Sequence, residues 1–400
     1  MNNETRKETQ VLPKDVRYVG ADDLTLSLFE NQYPVQPMGV SYNSYLILDE
    51  KIAVMDSVDA RAADEWLAKL AHELDGHSPD YLVISHMEPD HSGSILRLAE
   101  KYQEMKLVGN TKTFTMLRQF FGAKAPTDDR LLEVGEGETL PLGAHTLHFM
   151  LAPMVHWPEV MVAYEETEKL LFSADAFGRF GALSRTAAAP WAPQARRYYY
   201  NIVGKYGAQV QALLKKASAL EIKTICPLHG PVLTGEALGE ALRLYDLWSR
   251  WQSESPDDIL LAHASIHGNT ARAAELLKQK LEAKGARVTL CDLTTTEVSY
   301  AVANAFYCGK LVLACSTYDG GLFPPMEKFL SHLQAKGFRD RSVGLMENGS
   351  WAPAAARLMR AKLEEMKDLR VCGTVVSLRS AFGPANEAQM EALSAELCAK

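Results

Sequence analysis

The chain has 400 residues, of which 47% are hydrophobic and 23% are charged, close to the averages for soluble globular proteins. This composition excludes a disordered, collagen-like or low-complexity protein, and the length favours two or three domains. The net charge of −8, without any long basic run, argues against a nucleic-acid partner.

The first part of the chain contains short strand-like runs, with helical patterns between some of them. These runs cover residues 44–48, 52–56, 81–85, 146–151 and 169–173. The strands cluster before and after helices and do not alternate strictly with them. Residues 1–253 are therefore expected to form a layered αββα sandwich.

A polar segment that carries a proline, residues 254–258, is the predicted linker. After it, strand-like runs cover 259–265, 287–293, 310–317, 341–347 and 369–377. Helical patterns cover 271–284, 297–307, 325–335 and 352–367, with a last one from Asn386 onward. Short apolar strands that alternate with helices indicate a parallel sheet covered on both faces. Residues 259–400 therefore predict a flavodoxin-like doubly wound fold with strand order 2-1-3-4-5.

The densest group of potential metal ligands lies in residues 85–92, between an apolar strand and a helix. Its four candidate ligands are His86, Glu88, Asp90 and His91. Core packing does not require such a concentration, and a solvated loop with chance acidic and imidazole side chains is the alternative. Three further candidates each follow an apolar strand later in the chain: His156, Asp175 and His229.

This pattern resembles the metallo-β-lactamase superfamily, whose usual run is His-x-His-x-Asp-His followed by distant His, Asp and His. Here Glu88 stands in place of the second histidine. That variant, together with a flavodoxin-like part, resembles the flavodiiron proteins, and the resemblance covers essentially the whole chain. A carboxylate is a harder Lewis base than an imidazole, so a ligand set with this extra carboxylate suits iron better than zinc.

The resemblance implies a set of site residues. The first iron would be held by His86, Glu88 and His156, and the second by Asp90, His91 and His229. Asp175 and a solvent-derived oxygen would bridge the two ions. A tyrosine of the run 198–200 would lie near the diiron pocket, with Tyr199 as first choice and Tyr198 as the alternative.

Three loops of the second part have the composition of a site for a phosphorylated ring. Hydroxyl and amide side chains beside a helix N-terminus can bind a phosphate, and Gly268 permits a close backbone approach. The ends of strands one, three and four converge at the switch point of such a sheet. The absence of GxGxxG disfavours a dinucleotide. The loops resemble the FMN site of flavodoxins, with Tyr318 or Trp351 flanking the ring, and the expected FMN-binding residues are Ser265, Ile266, His267, Gly268, Asn269, Thr270, Ser316, Thr317, Tyr318, Asp319, Gly320, Gly321, Asn348, Gly349, Ser350 and Trp351.

The sequence also bears on compartment and electron supply. Its apolar runs are far shorter than the ~20 residues of a membrane-spanning helix, and residues 1–10 lack the apolar stretch of a secretory signal. The six cysteines include no CxxC pair, which argues against a disulfide framework and against a fused rubredoxin-type centre. We expect a cytoplasmic protein without membrane contact that receives electrons from a separate donor such as rubredoxin.

The resemblance implies an oxidoreductase that reduces O2 to water, NO to N2O, or both. Two ferrous ions and a reduced FMN together supply four electrons, which O2 needs to become two waters, and two NO molecules need two. The family also implies a head-to-tail homodimer or a dimer of such dimers. The alternatives are a dizinc hydrolase of the same superfamily, which Glu88 disfavours, and a flavin- or gas-sensing binding protein, which the complete ligand set disfavours. The balance between O2 and NO stays open.

Overall fold

The computed structural model describes residues 12–399. Within them the chain divides into two compact units, which meet between Asp246 and Leu247. The sequence predicted the change of domain after Ser253, slightly further along the chain. In the described range, no helix combines the length and the apolar character that crossing a membrane requires.

Within residues 12–246, the first unit forms two six-stranded sheets and two pairs of short strands. The order of the first sheet is β1-β6-β7-β8-β9-β10 and that of the second is β11-β12-β13-β14-β15-β16, while β2 pairs with β5 and β3 with β4. The strands are β1 (Val16–Tyr18), β2 (Ala21–Asp23), β3 (Leu28–Phe29), β4 (Tyr33–Pro34), β5 (Val40–Tyr42), β6 (Tyr45–Ile47), β7 (Ala53–Met55), β8 (Tyr81–Val83), β9 (Lys106–Gly109), β10 (Leu131–Glu133), β11 (Thr139–Pro141), β12 (Thr146–Leu151), β13 (Met161–Glu165), β14 (Leu170–Phe172), β15 (Thr224–Cys226) and β16 (Leu233–Thr234).

The two sheets of this unit share one hydrophobic core. Val83 and Val108 from the first sheet are fully buried in the same cluster as Phe149 and Phe172 from the second. Burial of each such side chain contributes roughly 1.5–3 kcal/mol. The predicted αββα sandwich is confirmed, and its helices are Ala63–Leu74, Pro89–Ser92, Ile95–Lys101, Thr111–Phe121, Leu183–Thr186, Trp191–Tyr198, Gly207–Ala217 and Gly235–Ser249, with a π-helical turn at Tyr199–Val203.

The second unit is built around one mainly parallel sheet. Its strands are β17 (Ser255–Ala264), β18 (Val288–Asp292), β19 (Cys308–Tyr318), β20 (Gly321–Leu322), β21 (Arg341–Asn348) and β22 (Leu369–Leu378). The order β18-β17-β19-β21-β22, with β20 antiparallel to β19, is the predicted 2-1-3-4-5 arrangement. Its helices are Asn269–Ala283, Val298–Tyr307, Pro324–Ala335, Ala355–Glu364 and Pro384–Cys398.

The segment predicted as a linker, 254–258, lies mostly inside β17. Ser255 pairs with Cys308 of β19, and the register then shifts before Ile259. Pro256 has no backbone N–H to give to a ladder, which accounts for an irregular strand at this point. Arg287 holds the segment by donating from Nε to Asp258 Oδ1 at 2.7 Å and from Nη2 to Ser255 Oγ at 3.0 Å.

Candidate functional site

The run of ligand-type residues that follows β8 turns from strand into helix. Glu88 has extended backbone angles and is the N-cap of the helix Pro89–Ser92, in which a proline occupies the first turn. Proline suits this position because its missing N–H would have no intrahelical partner. Asp90 and His91 therefore lie in the first turn, and both are buried.

The other three candidate ligands come from loops that follow strands of the second sheet. His156 follows β12, Asp175 follows β14 and His229 follows β15. Because β14 and β15 are parallel neighbours, Asp175 and His229 leave the same edge of the sheet. The structure thus brings together all seven residues predicted as metal ligands, in two adjoining groups.

The first group, here called the first metal site, contains His86, Glu88 and His156. Glu88 Oε2 lies 3.3 Å from His86 Nε2 and 3.1 Å from His156 Nε2. Neighbouring ligands of one ion take up such separations when each metal–ligand bond is about 2.1 Å long. All three side chains are largely or fully withdrawn from solvent.

The second metal site contains Asp90, His91 and His229. Asp90 Oδ2 lies 3.3 Å from His91 Nε2 and 3.3 Å from His229 Nε2. The two imidazole Nε2 atoms are 3.1 Å apart. Neither oxygen of Asp90 accepts a hydrogen bond from the described residues, although both are buried. A buried carboxylate without a partner is costly, and a metal ion would satisfy it.

Asp175 lies between the two sites and turns one oxygen to each. Its Oδ2 is 3.1 Å from His156 Nε2 in the first metal site. Its Oδ1 is 3.2 Å from His91 Nε2 in the second. This division of a single buried carboxylate is the geometry expected of a ligand that bridges two ions.

Hydrogen bonds outside the cluster orient two of the imidazoles. His86 Nδ1 lies 2.7 Å from Glu159 Oε1, and His229 Nδ1 lies 2.7 Å from the carbonyl oxygen of Ser41. A carbonyl oxygen can only accept, so Nδ1 of His229 carries the proton and donates it. With Nδ1 protonated, Nε2 is the atom that can offer a lone pair to a metal.

Charges in the cluster hold the carboxylates ionised. Burial alone would raise the pKa of Glu88, but hydrogen bonds from His156 and His86 outweigh it and lower that pKa to about 2. For Asp175 burial is again opposed, by the charge of His91 and by hydrogen bonds from His156 and His91, and its pKa lies well below the ordinary value. Metal ions would replace the imidazole protons that now balance this charge.

Two supporting acids were missed by the sequence analysis. Glu159 is buried and also accepts from the backbone N–H of Met87 at 2.9 Å. Asp56 accepts from the backbone N–H of Ser85 at 2.7 Å, and burial raises its pKa to about 6. A signal for Asp56 existed, because it directly follows β7, the parallel neighbour of β8. Glu159 lies in the same short motif as His156.

The structure brings Tyr198 to the metal cluster, whereas the sequence analysis favoured Tyr199. The ring of Tyr198 lies 5.6 Å from that of His229, between centroids. Burial raises the pKa of Tyr198, and the charges of nearby Asp175 and Asp90 raise it further. Tyr199 instead packs against Tyr200 and Tyr245, with ring centroids 5.2 Å and 5.0 Å away.

The second unit has a cleft of about 520 Å³ at the carboxyl ends of β17, β19 and β21. The helix Asn269–Ala283 begins at this cleft, and its N-cap, Gly268, has φ +88° and provides no side-chain cap. The backbone N–H groups of the first turn are therefore available to a phosphate. The predicted loops line the cleft, except that Gly268 and Gly321 are absent from the lining and that Ala352 and Ser380 are added to it.

Side-chain hydrogen bonds join the loops around this cleft. Thr270 Oγ1 lies 2.9 Å from Ser316 Oγ and accepts from Asn348 Nδ2 at 3.2 Å. Ser380, which follows β22, donates from Oγ to Ser350 Oγ at 2.8 Å. Tyr318 and Trp351 stand at the rim, with 45% and 87% of their surface exposed. The cleft combines a phosphate position with exposed rings that could flank a planar ligand.

Comparisons with known proteins agree with both parts of this geometry. A family model described as ODP family beta lactamase matches residues 40–230, which include all seven ligand-type residues. The chain is 28% identical over 358 residues to the rubredoxin-oxygen oxidoreductase of Megalodesulfovibrio gigas, with 87% of each protein covered. It is 27% identical over 361 residues to the nitric oxide reductase of Moorella thermoacetica, with 88% of each covered. The crystal structure of the flavodiiron protein from Giardia intestinalis matches with a TM-score of 0.88 and 26% identity, covering 97% of this chain and 95% of that one.

The fold and the two sites define a class of protein in which one chain carries a metallo-β-lactamase-like domain with a paired metal site and a flavodoxin-like domain. Over most of its length the chain is similar to flavodiiron proteins.

Proposed function

We propose that the chain is an oxidoreductase that reduces O2 to water, NO to N2O, or both, at two iron ions, with electrons relayed through FMN. One observation carries this proposal: Asp175 gives one oxygen to each of two metal sites, with 3.1 Å and 3.2 Å to the facing imidazoles. Names of similar proteins support it, since one is a rubredoxin-oxygen oxidoreductase and another a nitric oxide reductase.

The seven side chains fit two ions that keep open positions between them. The proposed ligands are His86, Glu88 and His156 for one iron, Asp90, His91 and His229 for the other, and Asp175 for both. The bound ions would supply ferrous electrons and open coordination positions for the gas. The protein excludes bulk water by burying these groups, and Glu159 and the Ser41 carbonyl keep two imidazoles in the required orientation.

The proposed FMN site is the cleft of the second unit. The phosphate would lie at the start of the helix Asn269–Ala283, where backbone N–H groups and the Thr270 hydroxyl face the cleft. Tyr318 and Trp351 would flank the isoalloxazine ring. We propose an external electron donor of the rubredoxin kind, because one similar protein is named a rubredoxin-oxygen oxidoreductase.

The proposal extends to assembly and compartment. Electrons have to pass from a flavin in one unit to metal ions in the other. We propose a head-to-tail homodimer, or a dimer of such dimers, in which the two sites of different chains meet. The described residues include no helix that could cross a membrane, and we propose that the protein works in the cytoplasm.

Metal analysis and flavin absorption on the purified protein, followed by gas consumption with a reduced donor, test the function. We expect about two irons and one FMN per chain, and consumption of O2 or NO that Asp175→Asn abolishes. Zinc without flavin would favour a hydrolase instead. Flavin with a metal-free site would favour a sensor. Exposed Asp128, which pairs with Arg118 on the surface, provides the control Asp128→Asn, which should leave gas consumption unchanged.

A further inference from the structure

A cavity of about 690 Å³ in the first unit opens onto the metal ligands. Glu88 and Asp90 are part of its wall, together with Tyr42, Asp59 and Arg61. A small molecule that reaches the metal sites through this cavity therefore passes a tyrosine, an arginine and an aspartate that are not metal ligands. These three side chains are joined by hydrogen bonds and act as one group.

Arg61 is held in a fixed orientation. Its Nε donates to Asp59 Oδ1 at 3.0 Å and its Nη2 donates to Asp59 Oδ2 at 2.9 Å, which is a bidentate arrangement. Asp23 Oδ2 lies 3.6 Å from the same Nε. The guanidinium is planar and stays protonated, so two fixed bonds also fix where its remaining N–H groups point. One of them donates from Nη2 to the Tyr42 hydroxyl oxygen at 3.0 Å.

The contact with Arg61 determines what the Tyr42 hydroxyl can do. An arginine can only donate, so the Tyr42 oxygen is the acceptor and its own proton has to point elsewhere. Among residues 12–399 no acceptor takes that proton. Tyr45 and Tyr33 of this unit, in contrast, donate to the carbonyl oxygens of Pro227 at 2.9 Å and Asn201 at 3.0 Å. Tyr42 is buried beside the ring of His229, with centroids 6.1 Å apart.

We propose that Arg61 is a positioning residue that turns the Tyr42 proton into the cavity, where Tyr42 donates a hydrogen bond to a small ligand bound beside Asp90. This inference rests on the proposed metal centre, and it assigns to the centre a donor that none of the seven ligands can provide. Without Arg61, no hydrogen bond between described residues fixes the direction of the hydroxyl proton. Ligands that accept hydrogen bonds gain from the arrangement, and one such bond is worth about five- to tenfold in affinity.

Azide, an anion that accepts hydrogen bonds, is the probe. It is titrated into the oxidised, iron-loaded, FMN-containing protein, and its dissociation constant is read from the visible absorption change. We expect Tyr42→Phe and Arg61→Ala each to weaken azide binding by about five- to tenfold. The double variant should be no weaker than either single variant, because both changes remove the same bond. Iron and FMN contents should match those of the parent.

Arg97→Ala is the matched control, because Arg97 also pairs with an aspartate, Asp64, and its side chain is 48% exposed against 49% for Arg61. It should leave azide affinity unchanged. If Tyr42→Phe binds azide as tightly as the parent protein does, the inference is overturned. The inference is also overturned if Arg61→Ala weakens azide binding by the same factor in the parent and in the Tyr42→Phe background, because Arg61 would then act only through its long-range charge. A parent protein without iron overturns the proposed function, and this inference with it.

Discussion

Substituting Glu159 by glutamine tests how strongly the protein around the ligands controls metal binding. Glu159 is 1% exposed, and its Oε1 lies 2.7 Å from His86 Nδ1 and 2.9 Å from the backbone nitrogen of Met87. Glutamine keeps the size of the side chain and can still accept from Met87. It removes the negative charge that holds the His86 proton on Nδ1. Without that charge, Nε2 is less strongly favoured as the atom that offers its lone pair to the first metal site.

The magnitude follows from the kind of hydrogen bond that is lost. A hydrogen bond to a charged group is worth roughly 1.5–3 kcal/mol, against about 1 kcal/mol for a neutral one. The difference corresponds to a loss of roughly tenfold in ferrous affinity, within the range of about 10–100-fold seen for partners of metal-bound histidines. Burial keeps solvent from screening this effect. The second metal site, whose histidines do not contact Glu159, should keep its affinity.

Anaerobic competition with a chromophoric chelator measures ferrous affinity at both sites in Glu159→Gln. Glu166→Gln is the control, because Glu166 pairs with His148 at 2.8 Å on the surface, away from the cluster. Equal ferrous affinity in the parent and in Glu159→Gln would refute the reasoning. An equal loss at both sites would also refute it, because that result would indicate a general disturbance of the fold.

Three further predictions concern other parts of the chain. Glu88→His should shift the metal bound at the first site from iron toward zinc, as measured by elemental analysis after growth with both metals, and unchanged iron content would contradict this. Gly349→Ala should weaken FMN binding by about tenfold or more, because the added Cβ would lie 2.6 Å from Pro353 Cα, whereas Gly383→Ala, with open space around it, should not. Burial lowers the pKa of His263, with Asp292 and Glu275 drawing it only partly back. The folded state therefore binds fewer protons, so stability should fall as the pH drops below about 6.5, and His263→Gln should flatten that fall in thermal unfolding; an identical pH profile would contradict the assignment.

Much of the fold and of the metal centre could be predicted because the strands are recognisable as apolar runs and the ligand-type residues come after them. Asp175 and His229 each follow an apolar run, and the resemblance to the flavodiiron proteins assigned both to the metal centre; the structure adds that β14 and β15 are parallel neighbours, which places both residues at one edge of the sheet. The run from His86 to His91 was recognisable because its spacing is local. The strand order of the second unit followed from the alternation of apolar strands and helices.

Other features depend on contacts that the sequence does not encode locally. In the run 198–200 the three side chains are chemically alike, and only the helical geometry decides that Tyr198 faces His229. Glu159 acquires its role through a contact with His86, which lies 73 residues earlier in the chain. Ser380 follows β22 and was overlooked because the prediction considered only the loops after strands one, three and four. Ser255 looked like linker because Pro256 follows it, yet it pairs with Cys308.

The most direct test of the central claim counts electrons in a single turnover. The iron- and FMN-loaded protein is fully reduced without air and mixed with limiting O2 or with NO. The account predicts either four electrons consumed per O2 without hydrogen peroxide, or one N2O formed per two NO, and loss of this stoichiometry in Asp175→Asn. Hydrogen peroxide in one-to-one yield from O2, with no N2O from NO, would contradict it.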